Sequence, residues 1–210
     1  MPAKTHNSIT PANRKQIRAT IRLARQSLSA EQQFADSKQA TDTSLSTILK
    51  LNARRVALYL TNDGELDTKP LIEMLWQHNI AVYLPRLHPF SAGNLLFLRY
   101  QADSVLEQNS LGIWEPKLDI TQMMLTHQLD VVITPLVAFD KHGNRMGMGG
   151  GYYDRTLANW QSIGKPLPIG YAHDCQQVDS LPCQHWDVPL PMIITPSAVY
   201  QYSDKVIPAS

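Results

Sequence analysis

The sequence predicts one α/β domain built on a largely parallel sheet. Short apolar runs recur without alternation, at Val56-Ala-Leu-Tyr-Leu60, Ile80-Ala-Val-Tyr-Leu84 and Leu129 to Thr134. Runs of that kind read as strands buried on both faces, as parallel sheets require. The helix-length stretch from Thr68 to His78 separates the first two, which makes a βαβ unit. With 210 residues, 43% of them hydrophobic, the chain can bury one sizeable core. No repeat or linker divides it, so residues 1–210 are expected to form a single domain, with 1–10 as a flexible tail.

Each element has its own signal. Pro11 to Leu28 reads as a helix, with Thr10 as N-cap and Pro11 at the first helical position. Ile17, Ile21, Ala24 and Leu28 share one face, and Arg14, Arg18, Arg22 and Arg25 form a stripe beside it. Taken alone, such a stripe is a solvated surface. A second helix starts after Ser29, where Ser29-Ala-Glu-Gln32 has the capping-box pattern, and runs to about Leu49. Thr61-Asn-Asp-Gly64 is a turn, and the strand from Ile80 is expected to stop at Pro85. Asn94 to Tyr100, Ile169 to Ala172 and Met192 to Thr195 supply further strands, the last of these closing the sheet.

Composition excludes several classes. A net charge of +1 gives no global attraction to nucleic acid or to an acidic membrane. No stretch approaches the ~18 apolar residues of a membrane span, and Met1 to Ser8 lack the pattern of a signal peptide. Cys175 and Cys183, eight apart, match neither a zinc knuckle nor a CxxC redox pair and read as free thiols. A cytoplasmic location is expected.

The most informative stretch is Asp130 to Trp160, which reads strand, glycine-rich loop, helix. Gly147, Gly149, Gly150 and Gly151 let the backbone approach an anion and turn its N–H groups toward it. A helix beginning near Tyr152 adds its positive end. Arg145 adds a permanently charged fork for phosphate oxygens, and Asp154 can hold a magnesium ion that arrives with a nucleotide. Neither a P-loop nor a GxGxxG pattern fits, because no GK[ST] follows and Tyr152 stands at the third glycine position.

Pro135-Leu-Val-Ala-Phe-Asp140 followed by Gly143-Asn-Arg-Met-Gly-Met-Gly-Gly-Gly-Tyr-Tyr-Asp154 resembles the signature of the 5-formyltetrahydrofolate cyclo-ligases. Arg14-Lys-Gln-Ile-Arg18, Leu60 with Gly64-Glu-Leu66, and Ile113-Trp-Glu-Pro116 fall in that family's order. The resemblance spans nearly the whole chain. It implies a three-layer, Rossmann-like α/β sandwich related to sugar-phosphate isomerases and CoA transferases. It further implies an ATP- and magnesium-dependent ligase that forms a C–N bond, closing 5-formyltetrahydrofolate to 5,10-methenyltetrahydrofolate with release of ADP and phosphate.

By the same resemblance, Arg14, Lys15, Gln16, Ile17 and Arg18, with Arg145, Met146, Gly147, Met148, Gly149, Gly150, Gly151, Tyr152 and Tyr153, contact ATP. Leu60, Glu65, Met148, Gly149, Gly150, Gly151 and Tyr152 meet the folate. Asp154 holds the metal, and Arg18 and Arg145 neutralise phosphate charge during transfer. The implied partners are ATP and a folate, bound by a monomer that takes neither nucleic acid nor membrane. Two positions depart from the family: Arg14 stands where lysine is frequent, and Pro191 where many members carry a metal-binding aspartate.

Other readings remain at this stage. Glu65 alone is an ordinary turn acid, and Trp114-Glu-Pro116 is either packing with a turn or a substrate contact. His173-Asp174 marks a loop start more readily than an acid–base pair. An isomerase or CoA transferase on a related sheet would need a carboxylate base and no ATP. An RNA-binding protein would use the basic first helix, against which the near-neutral net charge counts.

Overall fold

The computed structural model describes residues 11–202. The expected tail and the Thr10 cap lie outside the described residues. Helix α1 covers Pro11–Gln26 and α2 Ala30–Lys50. The Ser29 hydroxyl accepts the Gln32 N–H, so the start of α2 follows the capping signal. Then come β1 (Arg55–Ala57), α3 (Lys69–Gln77), β2 (Ala81–Leu87), β3 (Leu95–Arg99), β4 (Leu106–Gln108), β5 (Trp114–Pro116) and β6 (Met123–Met124). The second half contains β7 (Val131–Thr134), β8 (Ala138–Asp140), β9 (Arg145–Met146), α4 (Tyr152–Thr156), α5 (Trp160–Ile163), β10 (Leu167–Tyr171), β11 (Gln177–Val178), β12 (Met192–Ile194) and β13 (Val199–Gln201).

An eight-stranded sheet in the order β13-β12-β10-β7-β1-β2-β3-β6 forms the centre. Neighbours from β12 through β2 pair in parallel, with Val56 opposite both Val82 and Val131; β13, β3 and β6 add antiparallel edges. Val56, Val82, Val131, Val132, Ile133 and Ile169 are wholly or almost wholly buried, which is why these strands read as unbroken apolar runs. From β1 the chain crosses to β2 on one side, and later returns to β7 on the other. Right-handed crossovers therefore place α3 and the α4–α5 segment on opposite faces. α2 packs beside α3. The three-layer expectation holds.

Two strand boundaries differ from expectation. β2 does not stop at Pro85 but continues to Leu87, with Pro85 opposite Phe97 of β3. The ladder bonds to β3 fall at the even positions, from Tyr100 N–H to Val82 O and from His88 N–H to Asn94 O. Odd positions therefore aim their nitrogens toward β1, whose pairing with β2 ends at Tyr83. Pro85 sits where no ladder bond is asked of it. The sheet also does not close at β12, because β13 pairs antiparallel with it.

A three-stranded sheet, β11-β8-β9, interrupts the expected strand–loop–helix run after β7. Its β8–β9 hairpin packs Val137, Ala138 and Met146 against Ile17 and Ile21 of α1. The small β4–β5 hairpin is a separate two-stranded sheet lying against β2, where the Leu87 N–H donates to Glu115 of β5. No helix among the described residues is long and apolar enough to cross a membrane, and neither cysteine is in a disulfide.

Candidate functional site

β1 and β7 are parallel neighbours from which the chain crosses over in opposite directions, and the crevice at their carboxyl ends is where ligands of doubly wound sheets bind. Tyr59 and Leu60 follow β1, Pro135 and Leu136 follow β7, and all of them line a cavity of about 550 Å³. Its walls are mostly apolar: Leu84, Pro85 and Leu87 of β2, Leu95 of β3, and Leu111, Ile113 and Trp114 of the β4–β5 hairpin. Glu65, Arg145, Met148, Gly150, Gly151, Tyr152 and Tyr153 are also in its lining. A flat heterocycle suits such a space.

A second cavity of about 310 Å³ adjoins it, and Gly147, Gly151 and Asp154 line both. The rest of its lining is Arg14, Arg18, Gly149, Gln184, Trp186 and Asp187. The larger cavity is mostly apolar with several charged groups in its wall. In the smaller, Arg14 is paired with Asp187 and Asp154 with Arg145, which leaves Arg18 as the uncompensated cation against a backing of glycines. They meet at the glycine loop.

The loop owes its shape to residues with no side chain. Gly149 has φ of +109°, a region L side chains rarely enter, and a Cβ there would lie 3.7 Å from the Arg18 guanidinium carbon. A Cβ on Gly150 would come within 2.6 Å of the Tyr152 ring. The Arg18 Nε–H donates to Gly147 O at 2.8 Å. Among the described residues no carboxylate pairs with Arg18, so its remaining donors are available to an anion. Arg155 donates to Gly150 O and to Gly93 O, tying the loop to the β2–β3 connection.

Arg145 is almost fully buried and donates to Asp154 Oδ1 at 2.8 Å. Burial disfavours its charge and the Asp154 carboxylate supports it. The same Oδ1 accepts the Val188 N–H at 3.0 Å. Asp154 Oδ2 has no hydrogen-bond partner among the described residues.

The arginine stripe of α1 divides between the smaller cavity, lined by Arg14 and Arg18, and the turn after β1. Arg14 holds Asp187 through both terminal nitrogens, at 2.6 and 3.1 Å, and also donates to Pro182 O. Arg22 and the fully buried Arg25 bind Asp63 in the turn after β1. That turn carries Glu65, whose Oε2 accepts the Asn62 N–H. Burial pushes the Glu65 carboxyl up to about 7, with Asp63 adding to the rise and Arg25 opposing it.

The linkage has a definite sign. Below the ordinary glutamate value of 4.5 both folded and unfolded chains hold the proton; up to about 7 only the folded chain does. Each rise in pH through that window therefore costs stability, and the loss is complete above it. Wild-type protein should fall in melting temperature relative to Glu65→Gln between about pH 4.5 and 7, with a constant offset beyond. A difference that does not vary over the window would remove this account of Glu65.

The expected site residues separate by location. Of the residues expected to meet the folate, Leu60, Glu65, Met148, Gly150, Gly151 and Tyr152 line the apolar cavity, whereas Gly149 faces the cationic one. Arg14, Arg18, Gly147, Gly149 and Gly151 line the cationic cavity. Lys15 and Gln16 are exposed, Ile17 and Met146 pack in the α1–hairpin core, and none of these lines either cavity. Tyr152 and Tyr153 face the apolar cavity, away from the expected ATP side. Trp114 lines it as well, on a strand rather than a turn.

Pro191 is buried, accepts the Tyr202 N–H, and lines neither cavity. The second carboxylate at the site is Asp187, four residues earlier, and both its oxygens are engaged by Arg14. His173 opens a helical turn, as expected of a loop start, but its Nδ1 pairs with Asp36 of α2 at 2.6 Å rather than with Asp174. Sequence reasoning missed the segment from Gln184 to Asp187. An exposed tryptophan beside an acid in a polar turn was the available signal.

The family model for "5-formyltetrahydrofolate cyclo-ligase family" matches residues 10–196. This chain belongs to that family. It is 54% identical over 182 residues to the 5-formyltetrahydrofolate cyclo-ligase of Escherichia coli K12, covering 87% of this chain and all of that cyclo-ligase. Against the Haemophilus influenzae cyclo-ligase the identity is 52% over 177 residues, 84% of this chain and 94% of that one. The NMR structure of Aquifex aeolicus 5,10-methenyltetrahydrofolate synthetase superposes with a TM-score of 0.77 at 27% identity, covering 94% of this chain and 96% of the other. Membership of the cyclo-ligase family leaves the isomerase and CoA-transferase alternative without support.

Proposed function

We propose that this cyclo-ligase converts 5-formyltetrahydrofolate into 5,10-methenyltetrahydrofolate where its two cavities meet, consuming ATP and releasing ADP and phosphate. The observation that carries the reading is the junction itself: Gly147, Gly151 and Asp154 belong to both cavities. A folate in the apolar cavity and nucleotide phosphates in the cationic one would bring the formyl oxygen and the γ-phosphate together. All residues assigned here come from one chain, so the reading needs only a monomer.

The formyl oxygen attacks the γ-phosphorus, the bond to the ADP oxygen breaks, and an imino-phosphate results. The neighbouring folate N–H nitrogen then attacks the formyl carbon, its proton passes to solvent, and the C–O bond breaks as phosphate leaves. Phosphoryl transfer demands positioning and charge neutralisation more than a protein nucleophile. Arg18 and the glycine-loop amides receive phosphate oxygens. Arg145 contributes fixed charge at the junction while orienting Asp154. Tyr152 and Tyr153 wall the pterin, and Glu65, protonated below about pH 7, can donate to a ring acceptor.

Magnesium fits the donor set as a phosphate-borne ion. No group of three or more His, Cys, Asp or Glu among the described residues could hold a metal by itself. Asp154 Oδ2 offers one hard oxygen, and magnesium customarily fills its other positions with phosphate oxygens and water. When bound, the ion supplies charge neutralisation on the phosphates.

The deciding experiment follows absorbance in the methenyl-folate band with purified protein, 5-formyltetrahydrofolate and magnesium, with and without ATP. A rise that requires ATP is expected. No rise, despite ATP binding measured separately, would leave the nucleotide cavity but overturn the assigned reaction.

A further inference from the structure

We infer that Trp186 is the platform on which the nucleotide's base stacks, and that the Arg14–Asp187 pair exists to hold that platform. The inference rests on the nucleotide reading of the smaller cavity. Every other residue lining that cavity is a glycine or is polar; Trp186 alone offers a flat apolar face. Its exposure is 58%, against 3% for Trp160 in the core. An indole left so open beside an anion site keeps apolar surface available to a flat ligand.

The platform is built rather than loose. Asp187 N–H donates to Gln184 O at 3.0 Å, closing a four-residue turn that has Trp186 at its third position. The Asp187 carboxylate returns to the Gln184 N–H at 2.8 Å. Arg14 grips that carboxylate bidentately, and Val188 N–H is anchored on Asp154. The His185 ring meets the indole edge-on, with centroids 4.6 Å apart at 76°. The turn is thereby pinned to α1 on one side and to the glycine-loop helix on the other.

This assigns Arg14 a different task from Arg18. Both were expected to contact ATP, and of the two only Arg18 was expected to neutralise phosphate charge. Arg14 is neutralised by Asp187 and acts through the turn, as a positioning residue; Arg18 keeps donors free for phosphate. A nucleotide whose phosphates sit on Arg18 and Gly149 has its base end left to find a wall, and Trp186 is the aromatic wall of that cavity.

Calorimetric titration with ATP and with inorganic tripolyphosphate separates the two contributions, since tripolyphosphate carries the phosphates without a base. Wild type should bind ATP the more tightly. Trp186→Ala should weaken ATP by roughly 5- to 100-fold, the range set by base–aromatic stacking, while leaving tripolyphosphate unchanged. Trp186→Phe should restore most of the loss. Arg14→Ala should weaken ATP more than tripolyphosphate, whereas Arg18→Ala should weaken both alike.

An unchanged ATP-to-tripolyphosphate affinity ratio in Trp186→Ala, whether neither ligand or both alike were weakened, would overturn the stacking role. If wild-type protein bound neither ligand, the nucleotide reading of the cavity would fail first and the platform with it.

Discussion

Asp154→Ala should lower the melting temperature by roughly 6–20 °C, because it removes one side of a buried ion pair at a cost of about 3–5 kcal/mol. Arg145 has 2% of its side chain exposed and keeps no other carboxylate within ion-pair distance among the described residues. Its Nε is already buried without a hydrogen-bond partner. The Val188 N–H would lose its acceptor in the same substitution. Loss of turnover in the alanine variant would therefore report on stability as much as on metal binding.

Asp154→Asn separates the two effects. The amide oxygen can still accept from Arg145 and Val188, so the melting temperature should fall less than in the alanine variant. The free carboxylate oxygen offered to magnesium is gone, and turnover at saturating ATP should fall at least roughly 100-fold. Thermal melts beside steady-state rates at several magnesium concentrations check both parts. Wild-type turnover in Asp154→Asn would remove Asp154 from the metal assignment.

Gly149→Val should weaken ATP binding by at least roughly tenfold while leaving the apolar cavity able to take a folate. At φ of +109° a β-branched residue is strained by about 1–3 kcal/mol, and the loop would relax away from that geometry. Where the backbone held, the valine methyls would spread over the Arg18 guanidinium, the donor left open to phosphate. Titration with ATP and, separately, with 5-formyltetrahydrofolate reads the two cavities independently. Unchanged ATP affinity would mean that Gly149 does not form the cradle.

The central strands were legible in the sequence because double burial leaves an unbroken apolar run, as in Val131–Thr134 and the stretch around Val56. The Ser29 cap was legible because capping is a contact between near neighbours, hydroxyl to the N–H three residues on. The glycine loop could be read too, since the conformational freedom of Gly149 and Gly151 is a property of the residues themselves. These are local rules, and they made the central strands, the first two helices and the glycine-rich segment readable.

Other features depended on partners far away in the chain. Whether Pro85 ends a strand depends on where β1 stops pairing, which nothing near Pro85 encodes. The tasks of the arginine stripe follow from Asp63 and Asp187, placed by different crossovers at opposite ends of one helix face. Arg14 and Asp187 are 173 residues apart, so the engagement of Arg14 and the bracing of the Trp186 turn were decided by the same long-range contact. Spacing along the chain determined which chemical groups this protein possesses. Tertiary packing decided which charges are spent on one another and which remain for a ligand, because an ion pair forms only where the fold brings both partners within reach.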